Sequence, residues 1–216
     1  MKEKPAEVSD VPDRKEEEAG FSQGYRRIAG LDEAGRGSLA GPVVAAAVIL
    51  PRDAEYSWLQ FVRDSKLLQE KTRRDILRVM TESGIEVGIG TVSAAVIDEI
   101  NILNATKKAM KQALRQLPAP PDYVLCDAVK LPRLGIAQKA IIKGDRTCLV
   151  ISCASIAAKV ARDHIMLELD AKYRRYRFRD HKGYGTEEHL KLLKRYGACK
   201  IHRFTFAPVR ELAKIL

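Results

Sequence analysis

Apolar residues recur along the chain with two different spacings, which predict alternating strands and helices. Strands are predicted at 27–32, 42–50, 85–92, 123–126 and 138–142, where apolar residues alternate with others or form short uninterrupted runs. Helices are predicted at 69–82, 102–117 and 148–173, where apolar residues return every three or four positions. This alternation predicts an α/β fold with a mixed central sheet flanked by helices.

The two ends of the chain differ in composition from its middle. Residues 1–24 are polar, charged and poor in aromatic residues, which predicts a disordered N-terminal extension without catalytic residues. Residues 25–175 contain the predicted α/β domain. Residues 176–216 are strongly basic and predict a small helical C-terminal appendage.

Composition points to a soluble globular protein. The 216 residues are 46% hydrophobic, which is enough to bury a core. No apolar stretch approaches the roughly 18 residues of a membrane span, and the N-terminus lacks the layout of a secretory signal, so we expect a cytoplasmic protein. The four cysteines lack paired spacing and are expected to be reduced thiols. Cys199 and His202 have a spacing seen in zinc sites, but no second ligand pair accompanies them.

Charge is distributed unevenly. The net charge is +10, but residues 1–20 contain seven acidic and four basic residues, so the remaining chain carries +13. Residues 172–203 contain eleven basic and three acidic residues, and we expect this segment to bind a nucleic-acid duplex. A long polyanion is the natural partner of such a protein, because each neutralised phosphate releases counterions. Ordinary surface lysines on a soluble protein are the alternative.

Acidic residues follow several predicted strands. Asp32 with Glu33, Asp127 and Asp145 all come where a strand is expected to end, and ligands of α/β sheets collect at such ends. A single acid there usually forms a turn or caps a helix. Several gathered carboxylates repel one another unless a cation lies among them. The pattern therefore favours a divalent-cation site, which suits metal-assisted work on a phosphodiester.

Asp32 and Glu33 are neighbours, which poses a geometric question. Successive side chains of a strand point to opposite faces, so both can serve one site only if the strand ends there. Gly35 and Gly37 predict that break, and glycine also lets bare backbone approach a ligand. A tight turn alone is the alternative, although it would leave Arg36 unexplained.

Eight motifs occur in one order along residues 25–209. They are Gly30-Leu31-Asp32-Glu33-Ala34-Gly35-Arg36-Gly37, Gly41-Pro42-Val43-Val44-Ala45-Ala46, Asp64-Ser65-Lys66-Leu67, Asn101-Ile102-Leu103-Asn104-Ala105-Thr106, Asp127-Ala128, Lys143-Gly144-Asp145, the segment 152–163, and His181-Lys182-Gly183-Tyr184-Gly185-Thr186. Together they resemble type 2 ribonuclease H, the bacterial ribonuclease HII family. The segment 198–200 lacks a proline typical of that family, so its local path is expected to differ.

The resemblance implies a ribonuclease H-like domain and a metal-dependent endonuclease. Its substrates would be RNA/DNA hybrids and duplex DNA with single embedded ribonucleotides, cut on the 5′ side to leave 3′-hydroxyl and 5′-phosphate ends. The ligands of two Mg²⁺ or Mn²⁺ ions map to Asp32, Glu33, Asp127 and Asp145. The family's 2′-hydroxyl contacts map to Gly35, Arg36 and Gly37. Its tyrosine that stacks on the following deoxyribose maps to Tyr184.

Several alternatives stay open. Lys66 is a candidate phosphate contact or simply a solvated lysine, and Tyr184 could be a packing residue instead of a substrate contact. Another nuclease of the ribonuclease H-like class would share the clustered carboxylates, and a catalytically silent duplex-binding protein would share the charge. We expect a monomer without a membrane partner.

Overall fold

A mixed sheet of five strands organises the part of the chain that the computed structural model describes, residues 11–213. The strands are β1 (Ile28–Ala34), β2 (Val43–Ile49), β3 (Glu86–Val92), β4 (Tyr123–Asp127) and β5 (Ala137–Ile141), in the order β3-β2-β1-β4-β5. β1, β2 and β3 pair antiparallel, whereas β4 and β5 run parallel to β1. The predicted α/β fold with a mixed sheet is confirmed.

Helices flank the sheet and continue after it. They are α1 (Lys15–Ser22), α2 (Glu70–Glu82), α3 (Ala94–Ile100), α4 (Ile102–Arg115), α5 (Gly144–Thr147), α6 (Leu149–Lys172), α7 (Phe178–His181), α8 (Glu187–Tyr196) and α9 (Ala207–Ala213). The periodicity predicted α2, α4 and α6, and the basic C-terminal segment is helical as expected. Within residues 11–213 no helix has both the length and the apolar character needed to cross a bilayer.

The core has one layer on each face of the sheet. α6 packs on one face and α4 on the other, and β2 between them is buried at every position. A Cβ at Gly30 would lie 2.4 Å from the Val150 carbonyl oxygen, so the backbones of β1 and α6 are in direct contact. A Cβ at Gly90 would lie 2.0 Å from the Ala109 carbonyl oxygen of α4. Glycine at these positions brings both helices close to the sheet.

The N-terminal prediction is wrong for residues 11–24; residues 1–10 lie outside the described part. The residues that lead into α1 are bonded to the end of α5 and the start of α6: the Asp13 amide donates to the Thr147 carbonyl at 3.1 Å, and the Leu149 amide donates to the Asp13 carbonyl at 2.8 Å. Glu17 is buried and accepts a hydrogen bond from the Cys148 thiol, 3.4 Å from Sγ to Oε2. The segment is so rich in charged residues that its composition gave no sign of a buried helix face.

The C-terminal segment is fastened to the loop between β1 and β2. The Leu39 amide donates to the Gly183 carbonyl at 2.8 Å, and the Gly41 amide donates to the Ile201 carbonyl at 2.8 Å. Arg203 is fully buried beneath that loop. The basic segment therefore supports the loop that follows β1, and its removal would expose this interior.

We predict that Gly30→Ala is destabilising, because the new methyl group would meet the Val150 backbone, which has no free rotamer to adopt. Overpacking of this kind costs about 1–3 kcal/mol, measured by urea denaturation. Gly37→Ala is the control, since a Cβ there would meet nothing within 4 Å. Equal stability of the Gly30→Ala variant and the wild type would contradict the close contact of β1 with α6.

Glu17 predicts a pH dependence of stability. Burial raises the pKa of Glu17 from 4.5 to about 7, and the Cys148 hydrogen bond and Arg14 only partly oppose this. Between these values the folded chain binds more protons than the unfolded chain, so stability falls as pH rises through the window. Removing the charge with Glu17→Gln should flatten the curve and stabilise the variant relative to wild type by roughly 3 kcal/mol more at pH 8 than at pH 5. Parallel curves for the two proteins would contradict this.

Candidate active site

One cleft contains all nine residues of the predicted site. It lies where β1 and β4 end, and its lining is Asp32, Glu33, Ala34, Gly35, Arg36, Gly37, Ser65, Lys66, Asp127, Asp145, Ser155, Lys159 and Tyr184. The carboxyl ends of parallel strands form the crevice in which α/β proteins bind ligands. The geometry thus assembles the predicted residues, while their individual roles stay predictions.

The two adjacent acids reach this cleft in a way that differs from the prediction. β1 does not end at Asp32; it continues to Ala34 in register with β2. Its pairing with β4 stops at Leu31, however, so one side of β1 opens onto the cleft beyond that point. Asp32 hydrogen-bonds with Ser155 of α6, and Glu33 pairs with Arg36. Loss of the β4 neighbour, and not a strand end, lets both carboxylates line one cleft.

Asp127 and Asp145 are joined through backbone. Asp127 is the last residue of β4, as predicted, and its Oδ1 accepts a hydrogen bond from the Gly144 amide at 2.8 Å. Asp145 is not at the end of β5; it lies in the single turn of α5, after the left-handed Lys143 (φ 59°). This turn carries Asp145 back beside Asp127.

The carboxylates of the cleft repel one another, and this repulsion and their burial raise several of their pKa values. Burial raises the pKa of Asp32 well above its ordinary value, and the charges of Glu33 and Asp127 add to the effect. Burial also raises the pKa of Glu33, although Arg36 opposes it. The pKa of Asp127 is raised by burial and by Asp145. A bound cation would relieve this repulsion.

Two of the carboxylates hold basic side chains. Lys66 Nζ lies 2.8 Å from Asp145 Oδ2, and Arg36 Nη1 lies 3.2 Å from Glu33 Oε1. Burial alone would lower the pKa of Lys66, but the hydrogen bond to Asp145 and the negative charges of the neighbouring aspartates together raise it. Asp64 steadies the pair: its Oδ1 accepts from the Lys66 amide at 2.9 Å, and its Oδ2 accepts from Arg146 Nε at 3.0 Å.

The donor set fits a hard divalent cation by its chemistry, because carboxylate oxygens are the ligands that Mg²⁺ and Mn²⁺ prefer. Within residues 11–213, however, no three His, Cys, Asp or Glu side chains already form a group that could hold a metal ion. The carboxylates are turned towards Lys66, Arg36 and backbone amides instead. A cation held by three of these carboxylates would therefore need their side chains to turn away from these partners.

The glycine loop after β1 has two distinct glycines. Gly35 has a φ of +90°, and a Cβ there would lie 1.9 Å from Arg162 Nε, so no other residue fits. At Gly37 a Cβ would meet nothing, which leaves its backbone open to the cleft. The Arg36 carbonyl accepts from Arg203 Nη1 at 2.9 Å, while the Arg36 side chain is exposed.

Tyr184 lies across the cleft from this loop and is half-buried. Its ring centroid is 5.6 Å from Lys159 Nζ and 5.3 Å from Arg162 Cζ. Cations at this distance stabilise an aromatic ring and hold its orientation. The ring is therefore supported from within the protein on one side and accessible from the cleft.

Sequence reasoning missed two buried arginines behind the cleft. Arg162 donates to the carbonyls of Pro42, Lys182 and Ala40, and Arg203 donates to those of Gly41 and Arg36. The available signal was a charged residue within the apolar pattern of α6. The next residue, Asp163, forms an ion pair with Lys159.

Known proteins share both the sequence pattern and the fold. A sequence model described as ribonuclease HII matches residues 29–209. A ribonuclease HII of Acetivibrio thermocellus is 52% identical over 190 residues, covering 88% of this chain and 73% of that protein. The ribonuclease H2 structure from Pyrococcus horikoshii has a TM-score of 0.72 at 24% identity, covering 88% of this chain and 98% of that one. The structure of Bst-RNase HIII in complex with Mn²⁺ has a TM-score of 0.66 at 17% identity, covering 91% and 72%.

The structural likenesses establish the ribonuclease H-like fold, and the sequence matches establish the closer relationship. The family match spans most of the chain and includes β1, β4, α5, α6 and the Tyr184 loop. The resemblance stated from the motifs is confirmed. This chain belongs to the ribonuclease HII family, endoribonucleases that cleave the RNA of RNA/DNA hybrids.

Proposed function

We propose that this protein is a divalent-metal-dependent nuclease that also incises duplex DNA on the 5′ side of a single ribonucleotide. The products would be 3′-hydroxyl and 5′-phosphate ends. The observation that carries this proposal is the assembly of four carboxylates, an open glycine backbone and an accessible tyrosine ring around one cleft. Hydrolysis needs the first of these, and recognition of a ribose beside a deoxyribose needs the other two.

The carboxylates of Asp32, Glu33, Asp127 and Asp145 would hold two Mg²⁺ or Mn²⁺ ions. When bound, the ions would activate a water and stabilise the leaving oxygen. Repulsion between neighbouring carboxylates adds to the raised pKa of Asp32, Glu33 and Asp127, and a bound cation would relieve it. A fold neighbour is described as a complex with Mn²⁺. Lys66 and Arg36, now paired with two of the carboxylates, would be released to contact substrate phosphates.

Ribose recognition is proposed for the glycine loop. A 2′-hydroxyl is the group that distinguishes RNA from DNA at a given position. The exposed backbone at Gly37 can approach a sugar closely, and Arg203 fixes the Arg36 peptide from behind. A site with fixed polar groups rejects a substrate that lacks the matching hydroxyl, because those groups would stay unpaired. Tyr184 would stack on the next deoxyribose.

Duplex binding is proposed for the basic C-terminal segment, but only some of its eleven basic residues are available to contact phosphates. Arg203 cannot touch a duplex because it is fully buried. Arg177, Arg179, Lys182 and Lys191 are already paired with carboxylates. Among residues 11–213, those of this segment without an ion-pair partner are Lys172, Arg174, Arg175, Lys194, Arg195 and Lys200, and we assign the phosphate contacts to these.

A labelled DNA duplex with one ribonucleotide tests the proposal directly. We expect incision at the ribonucleotide only when Mg²⁺ or Mn²⁺ is added, and none in an all-DNA duplex. Structure-specific cutting of all-DNA junctions would indicate a different nuclease activity. Metal-independent binding without any cleavage would indicate a silent duplex-binding protein.

Asp127→Asn should abolish most cleavage and preserve the fold. The volume is unchanged and the amide oxygen can still accept from Gly144, but one ligand charge is lost. We expect single-turnover cleavage to fall by about a hundredfold or more, with no loss of melting temperature. Asp122→Asn is the control, because Asp122 caps backbone amides at the opposite end of β4. Wild-type turnover by Asp127→Asn would remove Asp127 from the metal site.

Tyr184→Ala should impair incision at a single ribonucleotide far more than it lowers the melting temperature. The lost contact would be with substrate, and the ring is only half-buried. Tyr184→Phe should be mild, since stacking uses the ring face. If Tyr184→Ala lowered the melting temperature by several degrees and left cleavage per folded molecule intact, Tyr184 would be a packing residue.

A further inference from the structure

Three histidines gather behind Tyr184, from α7, from α8 and from the segment that follows α8. His181, His189 and His202 are all buried, and the rings of His181 and His189 stack with centroids 4.3 Å apart. His189 Nε2 and His202 Nε2 are 3.1 Å apart. Burial lowers the pKa of both His189 and His202 to about 4, so both rings are neutral at physiological pH.

Their hydrogen bonds permit only one arrangement of protons. His189 Nδ1 lies 2.8 Å from the Tyr184 carbonyl oxygen, which can only accept, so His189 carries its proton on Nδ1. Its Nε2 must then accept, and His202 Nε2 must donate to it. His202 Nδ1 is therefore unprotonated and accepts the Cys199 amide proton at 2.9 Å. A directional chain runs from the Cys199 amide through two imidazoles to the Tyr184 carbonyl.

His181 holds the preceding residue with the opposite tautomer. Its Nε2 lies 2.8 Å from the Tyr176 carbonyl oxygen and must donate, and its Nδ1 accepts from the Gly183 amide at 3.2 Å. Gly183 itself is in a left-handed conformation, and a Cβ there would lie 2.5 Å from the Ala40 carbonyl oxygen. The peptide groups on both sides of the Tyr184 Cα are thus tied to buried histidines or backbone.

We propose that His189 and His202 are positioning residues, which fix the Tyr184 backbone through this relay so that the ring stands at the junction of ribonucleotide and deoxyribonucleotide. The inference rests on the proposed role of Tyr184. Neither imidazole lines the cleft, so neither meets substrate. A displaced ring would lose stacking on a single ribonucleotide site, whereas cleavage within a long hybrid, where no such junction follows the cut, would be spared.

The proton arrangement is measurable in the wild-type protein without any variant. Long-range ¹H–¹⁵N spectra of the imidazoles distinguish the two tautomers by nitrogen shift. We expect His189 as the Nδ1–H tautomer and His202 as the Nε2–H tautomer, both neutral at pH 7. For His181 we expect a proton on Nε2, which faces the Tyr176 carbonyl. A His189 ring protonated on Nε2 would overturn the relay, whatever the enzyme's substrate.

Paired substitutions test what the relay does. The amide nitrogen of asparagine lies near the position of an imidazole Nδ1, and that of glutamine near Nε2. His189→Asn can therefore keep the bond to Tyr184, and His202→Gln can keep the bond to His189, whereas leucine at either position removes it. Cys199→Ala is the matched control: it removes the thiol, which also lies 3.2 Å from His202 Nδ1, and keeps the amide that donates to that nitrogen at 2.9 Å.

The readout is the rate of single-ribonucleotide incision divided by the rate of hybrid cleavage, each per folded molecule. We expect this ratio to fall roughly tenfold or more in both leucine variants, since small misplacements near a reacting group have large effects. It should stay near the wild-type value in His189→Asn, His202→Gln and Cys199→Ala.

Two results distinguish a failure of the relay from a failure of the proposed role of Tyr184. An unchanged ratio in His189→Leu, with a reduced ratio in Tyr184→Ala, would overturn the relay alone. An unchanged ratio in Tyr184→Ala would overturn both. Equal loss of both activities in the leucine variants would reduce the histidines to a structural role and would also overturn the inference.

Discussion

The buried guanidinium of Arg162 is the constraint on which the site depends. The side chain is fully buried, and its three nitrogens donate to carbonyls of Pro42, Ala40 and Lys182 at 3.0–3.1 Å. Burial lowers the pKa of Arg162, because removing the charge from water is unfavourable. The hydrogen bonds to the three carbonyls compensate for this cost. A single side chain of α6 thereby joins the loop after β1 to the loop that carries Tyr184.

Arg203, in the C-terminal segment, is a second buried arginine that binds backbone carbonyls. Its guanidinium is fully buried as well and donates to the Gly41 and Arg36 carbonyls. Burial and the charge of Arg162 lower the pKa of Arg203 to about 9. Because both arginines use carbonyls as acceptors, the glycine loop and the Tyr184 loop are held without hydrogen bonds to the carboxylates of the cleft. Polar groups fixed before substrate arrives act without reorganisation, which is the condition for efficient catalysis.

The features predicted correctly from the sequence are those that depend on hydrophobic periodicity and on the order of the strands. The apolar run of β2 reflects burial on both faces, and Asp127 could be placed because a parallel strand ends at it. Features that depend on tertiary contacts were not predictable in this way. Asp145 reaches the cleft through a left-handed residue and one turn of helix, and α1 docks through a buried Glu17 inside a charged segment. The histidines lie in two short helices and the segment after them, so their meeting behind Tyr184 depends on tertiary packing and could not be read from the chain.

The most direct measurement of this account is amide hydrogen exchange in the ligand-free protein. The Leu39 and Ala40 amides donate to the Gly183 carbonyl, and the Tyr184 amide donates to the His181 carbonyl. If the buried arginines hold these loops in advance, all three amides should be strongly protected in the wild type. In Arg162→Met they should exchange much faster while β2 stays protected. Rapid exchange of these amides in the wild type, or full protection in Arg162→Met, would contradict the account.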